Sequence, residues 1–135
     1  MTLFLDANVV IYLVEGATDI HQRAERALED ARRREPGARI AVSRLSWLEC
    51  RVKPLRDARR ELLRRYEAFF SAPDLLTVEL AAPVVEAATQ LRAILNLSTP
   101  DALQAASALH IPGPLCFFSN DRRFERVPGL LAVSI

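Results

Sequence analysis

The stretch LFLDANVVIYLV, residues 3–14, decides how this sequence is interpreted, because it places an acid inside an apolar run. Asp6 and Asn8 are its only strongly polar side chains. A carboxylate buried without a partner costs several kcal/mol, so Asp6 needs a hydrogen-bonding partner or a cation. We predict a buried strand over residues 3–5, followed by a short helix over residues 7–14 with Asp6 as its cap.

Short apolar segments alternate with helical patterns along the rest of the chain. Further strands are predicted at residues 39–43, 75–78, 115–118 and 130–133. Further helices are predicted to begin at Asp19, at Ser46 as a cap, and at Pro54, Pro83 and Pro100. Short apolar strands separated by helices are typical of a parallel sheet covered on both faces. The sequence therefore predicts a single α/β domain over residues 1–135, without repeats or linkers.

Composition narrows the function classes. A chain of 135 residues, half of them hydrophobic and 26% charged, fits one folded domain and argues against disorder. Cys50 and Cys116 are too few and too far apart for a disulfide framework or a zinc site, and His21 and His110 lack ligand-spaced partners. The sequence shows no signal peptide pattern and no apolar stretch long enough to span a bilayer, so we expect a soluble cytoplasmic protein.

Four acids recur near the predicted strand ends: Asp6, Glu49, Asp101 and Asp121. Asp6 directly follows the first strand, Glu49 lies one turn into the helix after the second, and Asp121 follows the fourth closely. Open α/β sheets bind ligands beyond the carboxyl ends of their strands. We expect these three acids at that edge, and Asp101 joins them if its helix begins there.

Each acid also has a purely structural explanation. Asp6 suits a helix cap, Ser46 and Glu49 match a capping box, and Asp101 follows Pro100 at a helix start. Asp121 suits a turn. Four carboxylates at one edge would nevertheless repel one another unless a cation neutralised them. A site of oxygen ligands without His or Cys favours Mg²⁺ or Mn²⁺ over zinc.

The ordered motifs resemble those of the PIN-domain family, and within it the VapC-like ribonuclease toxins of bacterial toxin–antitoxin pairs. The resemblance covers nearly the full chain. The motifs are Asp6-Ala-Asn8, Ser46-x-x-Glu49, Asp101-Ala-Leu-Gln-Ala-Ala and Ser119-Asn120-Asp121-x-x-Phe124.

The resemblance implies a three-layer α/β/α fold with a five-stranded parallel sheet in the order 3-2-1-4-5. It implies an endoribonuclease that uses Mg²⁺ or Mn²⁺, acts as a homodimer, and is inhibited by a small antitoxin. A metal-activated water would then hydrolyse the RNA phosphodiester, leaving a 5′-phosphate and a 3′-hydroxyl. By motif match, the catalytic acids are Asp6, Glu49, Asp101 and Asp121, with Asp6 and Asp101 as principal metal ligands. The supporting polar residues are Asn8, Ser46 and Asn120.

Basic residues close to the acids are candidates for contacts with RNA phosphates. They are Arg44, Arg51 and Lys53 near Glu49, and Arg122 and Arg123 beside Asp121. The alternative is that these arginines are solvated and paired with neighbouring acids, as is usual on charge-rich helices. We prefer that alternative for the arginine stripe at positions 56, 60 and 64.

Two other functions remain open from the sequence. An aspartyl phosphotransferase also places an acid after the first strand and uses Mg²⁺, but Asn8 stands where a second acid is expected. The only lysine, Lys53, is poorly placed to clamp a phosphoryl group. A module that binds RNA or a partner protein without cleavage is the other alternative. The sequence does not identify the RNA, the antitoxin or the number of metal ions.

Overall fold

Five short strands form one parallel sheet in a computed structural model, which describes residues 1–16 and 18–135. The strands are β1 (Thr2–Leu5), β2 (Arg39–Ser43), β3 (Leu76–Val78), β4 (Leu115–Ser119) and β5 (Leu131–Ser134). They lie in the order β3-β2-β1-β4-β5, and every neighbouring pair is parallel. The predicted α/β class and strand order are confirmed.

Helices connect the strands and cover both faces of the sheet. They are α1 (Ala7–Glu15), α2 (Asp19–Arg34), α3 (Arg44–Arg56), α4 (Arg60–Phe70), α5 (Ala82–Leu95) and α6 (Thr99–Leu109), with a 3₁₀ helix at Arg122–Arg126. Gly16 ends α1 at a φ of 59°, a left-handed conformation that glycine adopts readily. No helix within the described ranges is long and apolar enough to cross a membrane.

Alternating side chains of the central strands supply two hydrophobic cores, because successive strand residues point to opposite faces. Phe4 and Phe117 are fully buried on one face, stack with ring centroids 5.4 Å apart, and belong to the core under α5 and α6. Leu5 and Phe118 belong to the opposite core, with residues of α1, α2 and α4. The sheet is thereby fixed in register, and with it the carboxyl ends of β1 and β4.

Two predicted helix starts are wrong. The helix after β2 begins at Arg44 with Ser43 as its N-cap, since the Ser43 hydroxyl accepts a hydrogen bond from the Leu45 backbone at 3.1 Å. Ser46 therefore lies inside α3, and the capping-box explanation of Ser46 and Glu49 is wrong. Pro54 lies in the last turn of α3 rather than at a start; it is buried, and its packing offsets the backbone hydrogen bond that proline cannot make.

Candidate active site

The carboxyl ends of β1 and β4 bring Asp6 and Asp121 together through one serine. The backbone of Asp6 donates to the carbonyl of Phe118 at 3.0 Å, which continues the β1–β4 pairing by one residue. Ser119 Oγ donates to Asp6 Oδ2 at 2.8 Å and accepts from the Asp121 backbone at 3.0 Å. Asp6 Oδ1 accepts from the Ala7 backbone at 2.8 Å, so both carboxylate oxygens are held.

Burial makes Asp6 an unusual carboxyl group. The residue is only 6% exposed, and this desolvation raises its pKa to about 6. Hydrogen bonds from Ser119 and Ala7 oppose the rise in pKa, whereas the charges of Glu49 and Asp101 add to it. The mutual repulsion indicates that carboxyl groups from β1, α3 and α6 face a common region.

Gln104, on α6, connects two of the predicted site residues on α3. Its Nε2 donates to Glu49 Oε1 at 3.0 Å and to Ser46 Oγ at 2.9 Å. Burial raises the pKa of Glu49, and the bond from Gln104 opposes that rise. Gln104 is 1% exposed, and its Oε1 has no hydrogen-bond partner among the described residues. Gln104 is not among the site residues predicted from the sequence.

A sequence signal for Gln104 does exist. Asp101, Gln104 and Ser107 are spaced by three along an otherwise apolar α6, so they lie on one side of the helix. Ser107 continues this polar row by donating to Ser43 Oγ at 3.0 Å. Polar side chains at helical spacing within an alanine-rich segment therefore indicate the side of α6 that faces α3 and β2.

Arg123 joins the remaining two acids. Its Nε lies 3.1 Å and 3.0 Å from the two carboxylate oxygens of Asp121, and its Nη2 lies 3.5 Å from Asp101 Oδ2. Hydrogen bonding from Arg123 lowers the pKa of Asp121. Asp6, Asp121 and Asp101 are thus connected through Ser119 and Arg123, whereas Glu49 is held separately by Gln104.

The two predicted asparagines, Asn8 and Asn120, lie next to the acids and hydrogen-bond to each other. Asn8 Nδ2 donates to Asn120 Oδ1 at 2.9 Å, and Asn120 Nδ2 donates to the Tyr12 hydroxyl. These bonds tie α1 to the turn after β4. The asparagines are therefore placed to fix the segments that carry Asp6 and Asp121.

The predicted phosphate-binding arginines are engaged elsewhere. Arg44 forms an ion pair with Glu79 and stacks 4.1 Å from the centre of the Trp47 ring. Arg51 donates to the Trp47 carbonyl at 2.8 Å, and Arg122 pairs with Glu125 at 3.4 Å. Pairing with neighbouring acids thus describes Arg44 and Arg122, while their contact with RNA stays a prediction.

The donor atoms fit a hard divalent cation by type, although the side chains are not gathered around one point. Within residues 1–16 and 18–135, no three His, Cys, Asp or Glu side chains are grouped closely enough to hold a metal ion. Glu49 is held by Gln104, and Asp121 by Arg123. Carboxylate oxygens are the ligands that Mg²⁺ and Mn²⁺ prefer. Here the charges of Glu49 and Asp101 raise the pKa of Asp6, so a cation would relieve their repulsion. Binding an ion therefore requires side-chain rearrangement.

The family model of the PIN domain matches residues 3–130. The chain belongs to the PIN domain family. The matched residues include all four predicted acids, from Asp6 to Asp121. The family that the sequence motifs resemble is thereby confirmed.

Solved structures share this PIN fold over nearly their whole length. VapBC2 from Rickettsia felis, bound to a DNA fragment from its promoter, has a TM-score of 0.75 at 19% identity, covering 99% of this chain and 98% of that one. VapBC-1 from nontypeable Haemophilus influenzae has a TM-score of 0.76 at 16% identity, covering 99% and 98%. A toxin–antitoxin complex from Klebsiella pneumoniae has a TM-score of 0.71 at 24% identity, covering 99% and 97%. No curated protein matches the chain significantly by sequence.

Proposed function

We propose that this PIN domain is an endoribonuclease that requires Mg²⁺ or Mn²⁺ and is the toxin of a toxin–antitoxin pair. PIN domains are generally nucleases, which supports the reaction class. The observation that carries the proposal is the carboxylate of Asp6, which is buried at the carboxyl end of β1 and linked through Ser119 to Asp121. Burial raises its pKa, and the charges of Glu49 and Asp101 add to the rise. Acids that raise one another's pKa at a sheet edge are stabilised by a bound cation.

Asp6 and Asp101 are proposed as the principal metal ligands, with Glu49 and Asp121 completing the site. A bound ion supplies charge neutralisation at the scissile phosphate and an activated water, so no side-chain nucleophile is needed. The expected products carry a 5′-phosphate and a 3′-hydroxyl. A 2′,3′-cyclic phosphate would instead identify the ribose hydroxyl as the nucleophile.

The neighbouring polar residues hold these carboxylates in place. Ser119 and the Ala7 backbone fix the two oxygens of Asp6, and Gln104 fixes Glu49. Ser46 acts one step further away, because it accepts from the same Gln104 amide. Such outer partners orient metal-binding carboxylates and are expected to affect metal affinity when they are removed.

The phosphotransferase alternative is less favourable in this arrangement. Such an enzyme is expected to carry a second acid two residues after its nucleophile, and Asn8, which stands there, donates to Asn120 instead. Binding without cleavage stays an outcome of the experiment below.

The deciding experiment is cleavage of a total-RNA pool by the purified protein with Mg²⁺, Mn²⁺ or EDTA. Asp6→Asn tests the site, and Asp74→Asn, at an exposed residue far along the chain, is the matched control. We expect metal-dependent cleavage by the wild type and the control, and none by Asp6→Asn. Cleavage by Asp6→Asn at saturating Mg²⁺ would contradict the assignment, and 5′-end mapping would identify the target.

We further propose a cytoplasmic protein that forms a homodimer and is held inactive by a small antitoxin. One of the similar structures is described as a toxin–antitoxin complex, which supports the partner. Exposed apolar side chains support the homodimer: Leu48, Val52 and Leu55 are 61%, 46% and 69% exposed on one side of α3. Apolar patches of this kind mark protein-binding surfaces.

A further inference from the structure

One arginine reaches two acids of the proposed metal site. Arg123 forms a two-pronged hydrogen bond with Asp121 and places Nη2 3.5 Å from Asp101 Oδ2. A guanidinium is always charged in proteins and its fork matches a carboxylate. Arg123 therefore supplies positive charge in a region where a divalent cation is also expected.

The arrangement is specific to this position of the 3₁₀ helix. Arg122 turns to Glu125, and Arg126 donates to the Leu95 carbonyl at 2.8 Å. Of the three arginines in this helix, Arg123 alone contacts an acid of the site. The density of positive charge in this helix does not explain why Arg123 contacts the acids, because the adjacent Arg122 carries the same charge and does not contact them.

We propose that Arg123 is a built-in counter-cation that competes with the divalent ion for Asp101 and Asp121 and moves out when the ion binds. This inference rests on the proposed function. The Arg123 side chain is 61% exposed and each of the two acids is 21% exposed, so the guanidinium can leave without disturbing either core. Once released, it lies next to the site and is available to an RNA phosphate.

Because Arg123 and the divalent ion compete for the same carboxylates, the apparent metal affinity depends on the fraction of molecules in which Asp101 and Asp121 are not bound by Arg123. The apparent dissociation constant equals the intrinsic constant divided by that fraction. An exposed ion pair is weak, so the effect of removing it is about 1.5- to 5-fold rather than several orders of magnitude. Arg123 thus sets the metal concentration at which the site fills.

The test is calorimetric titration of the purified protein with Mn²⁺, without RNA. Arg123→Gln is expected to bind Mn²⁺ about 1.5- to 5-fold more tightly than the wild type. Arg122→Gln, one residue away and paired with Glu125, is the matched control and should bind as the wild type does. Arg123→Lys keeps the charge without the fork and should fall between the two; circular dichroism verifies that each variant is folded.

The alternative outcomes are distinct. Unchanged or weaker Mn²⁺ binding by folded Arg123→Gln overturns the counter-cation, and weaker binding would indicate instead that Arg123 positions Asp121 for the ion. If neither the wild type nor Arg123→Gln binds Mn²⁺, the proposed metal site fails together with this inference. If the variant binds more tightly but neither protein cleaves RNA, the counter-cation stands and the proposed ribonuclease function fails.

Discussion

At the scale of single residues, the buried carboxyl group of Asp6 lowers the free energy of unfolding by an amount that depends on pH. Its pKa is raised from 3.8 to about 6. Well below pH 4 the carboxyl group is protonated in both the folded and the unfolded chain, so its burial costs no stability. Between about pH 4 and pH 6 the unfolded chain ionises before the folded chain does, and above pH 6 both are ionised but only the folded chain buries the charge. Stability is therefore lost as the pH rises through this window, by at most about 3 kcal/mol.

We therefore expect Asp6→Asn to stabilise the metal-free protein at pH 7.5, by about 1–3 kcal/mol, and to have little effect at pH 4. Urea unfolding in EDTA across this pH range measures the difference between variant and wild type. Asp74→Asn, at an exposed position, provides the baseline. A difference that does not change between pH 4 and pH 7.5 would show that the Asp6 charge carries no penalty.

Ser119 should control the pKa of Asp6. Its hydroxyl donates to Asp6 Oδ2, which favours the charged carboxylate, so Ser119→Ala should raise the Asp6 pKa above 6. Carbon-13 NMR titration of the Asp6 carboxyl group measures this shift in metal-free protein. Ser134→Ala, at the exposed end of β5, should leave the titration unchanged, and an equal or lower pKa in Ser119→Ala would refute the expected direction.

The sequence predicts the acids better than the residues that hold them. Asp6 was recognised because a charged residue in an apolar run is conspicuous. Gln104 and the side-chain bond from Arg123 to Asp101 were missed, because each depends on contacts between segments that are distant in sequence. Gln104 and Glu49, for example, meet only once α3 and α6 pack against each other.

At the scale of elements, α3 presents Glu49 and Ser46 to the site, and Ser43 determines where α3 begins. The Ser43 hydroxyl accepts from the Leu45 backbone and from Ser107 Oγ while fully buried. Ser46 was mistaken for the cap because Ser43 is also the last residue of β2. The chain passes from strand to helix without a loop, and a local pattern does not reveal such a junction.

Ser43→Ala should destabilise the protein by about 1–2 kcal/mol, because it removes both the cap of α3 and the buried hydrogen bond between Ser43 and Ser107. Urea unfolding at pH 7 measures the loss. Ser98→Ala is the comparison: Ser98 caps α6 through a longer bond of 3.3 Å to the Asp101 backbone, at an exposed site. We expect a smaller loss there, of about 0.5–1 kcal/mol. Equal losses would mean that the Ser107 bond adds nothing.

At the scale of the whole molecule, the apolar side of α3 has no partner within the described chain. Its groove extends to Leu63 of α4 and to Leu80, and Leu80 also borders a second groove beside Val85 of α5. We propose that a second copy of the chain covers this surface. A broad apolar surface shared by several helices suits a dimer interface.

Leu55→Glu should therefore convert the proposed dimer to a monomer, since it places a charge at the most exposed of the apolar side chains on α3. Light scattering after size-exclusion chromatography measures the mass. Leu131→Glu is the matched control, because Leu131 is 62% exposed, close to the 69% of Leu55, and lies on β5 at the opposite edge of the sheet. A dimer that persists in Leu55→Glu, or dissociates equally in Leu131→Glu, would exclude this interface.

The strand order could be anticipated only through the family resemblance. Apolar runs locate the strands, and β2 was predicted at its observed bounds, residues 39–43. Nothing in the runs themselves says that β1 lies between β2 and β4. The strand order follows from the packing of the two cores. In one of them Phe4 stacks on Phe117, which lies 113 positions later in the sequence.

The pairing of β1 with β4 also affects when the carboxyl edge can form during translation. Asp6 is synthesised with β1, but its partner Ser119 is added 113 positions later, followed by the acid Asp121. At ordinary elongation rates this interval lasts on the order of ten seconds. A nascent chain that has not yet made β4 cannot assemble the carboxyl edge, so any activity of this edge is delayed until β4 has been translated.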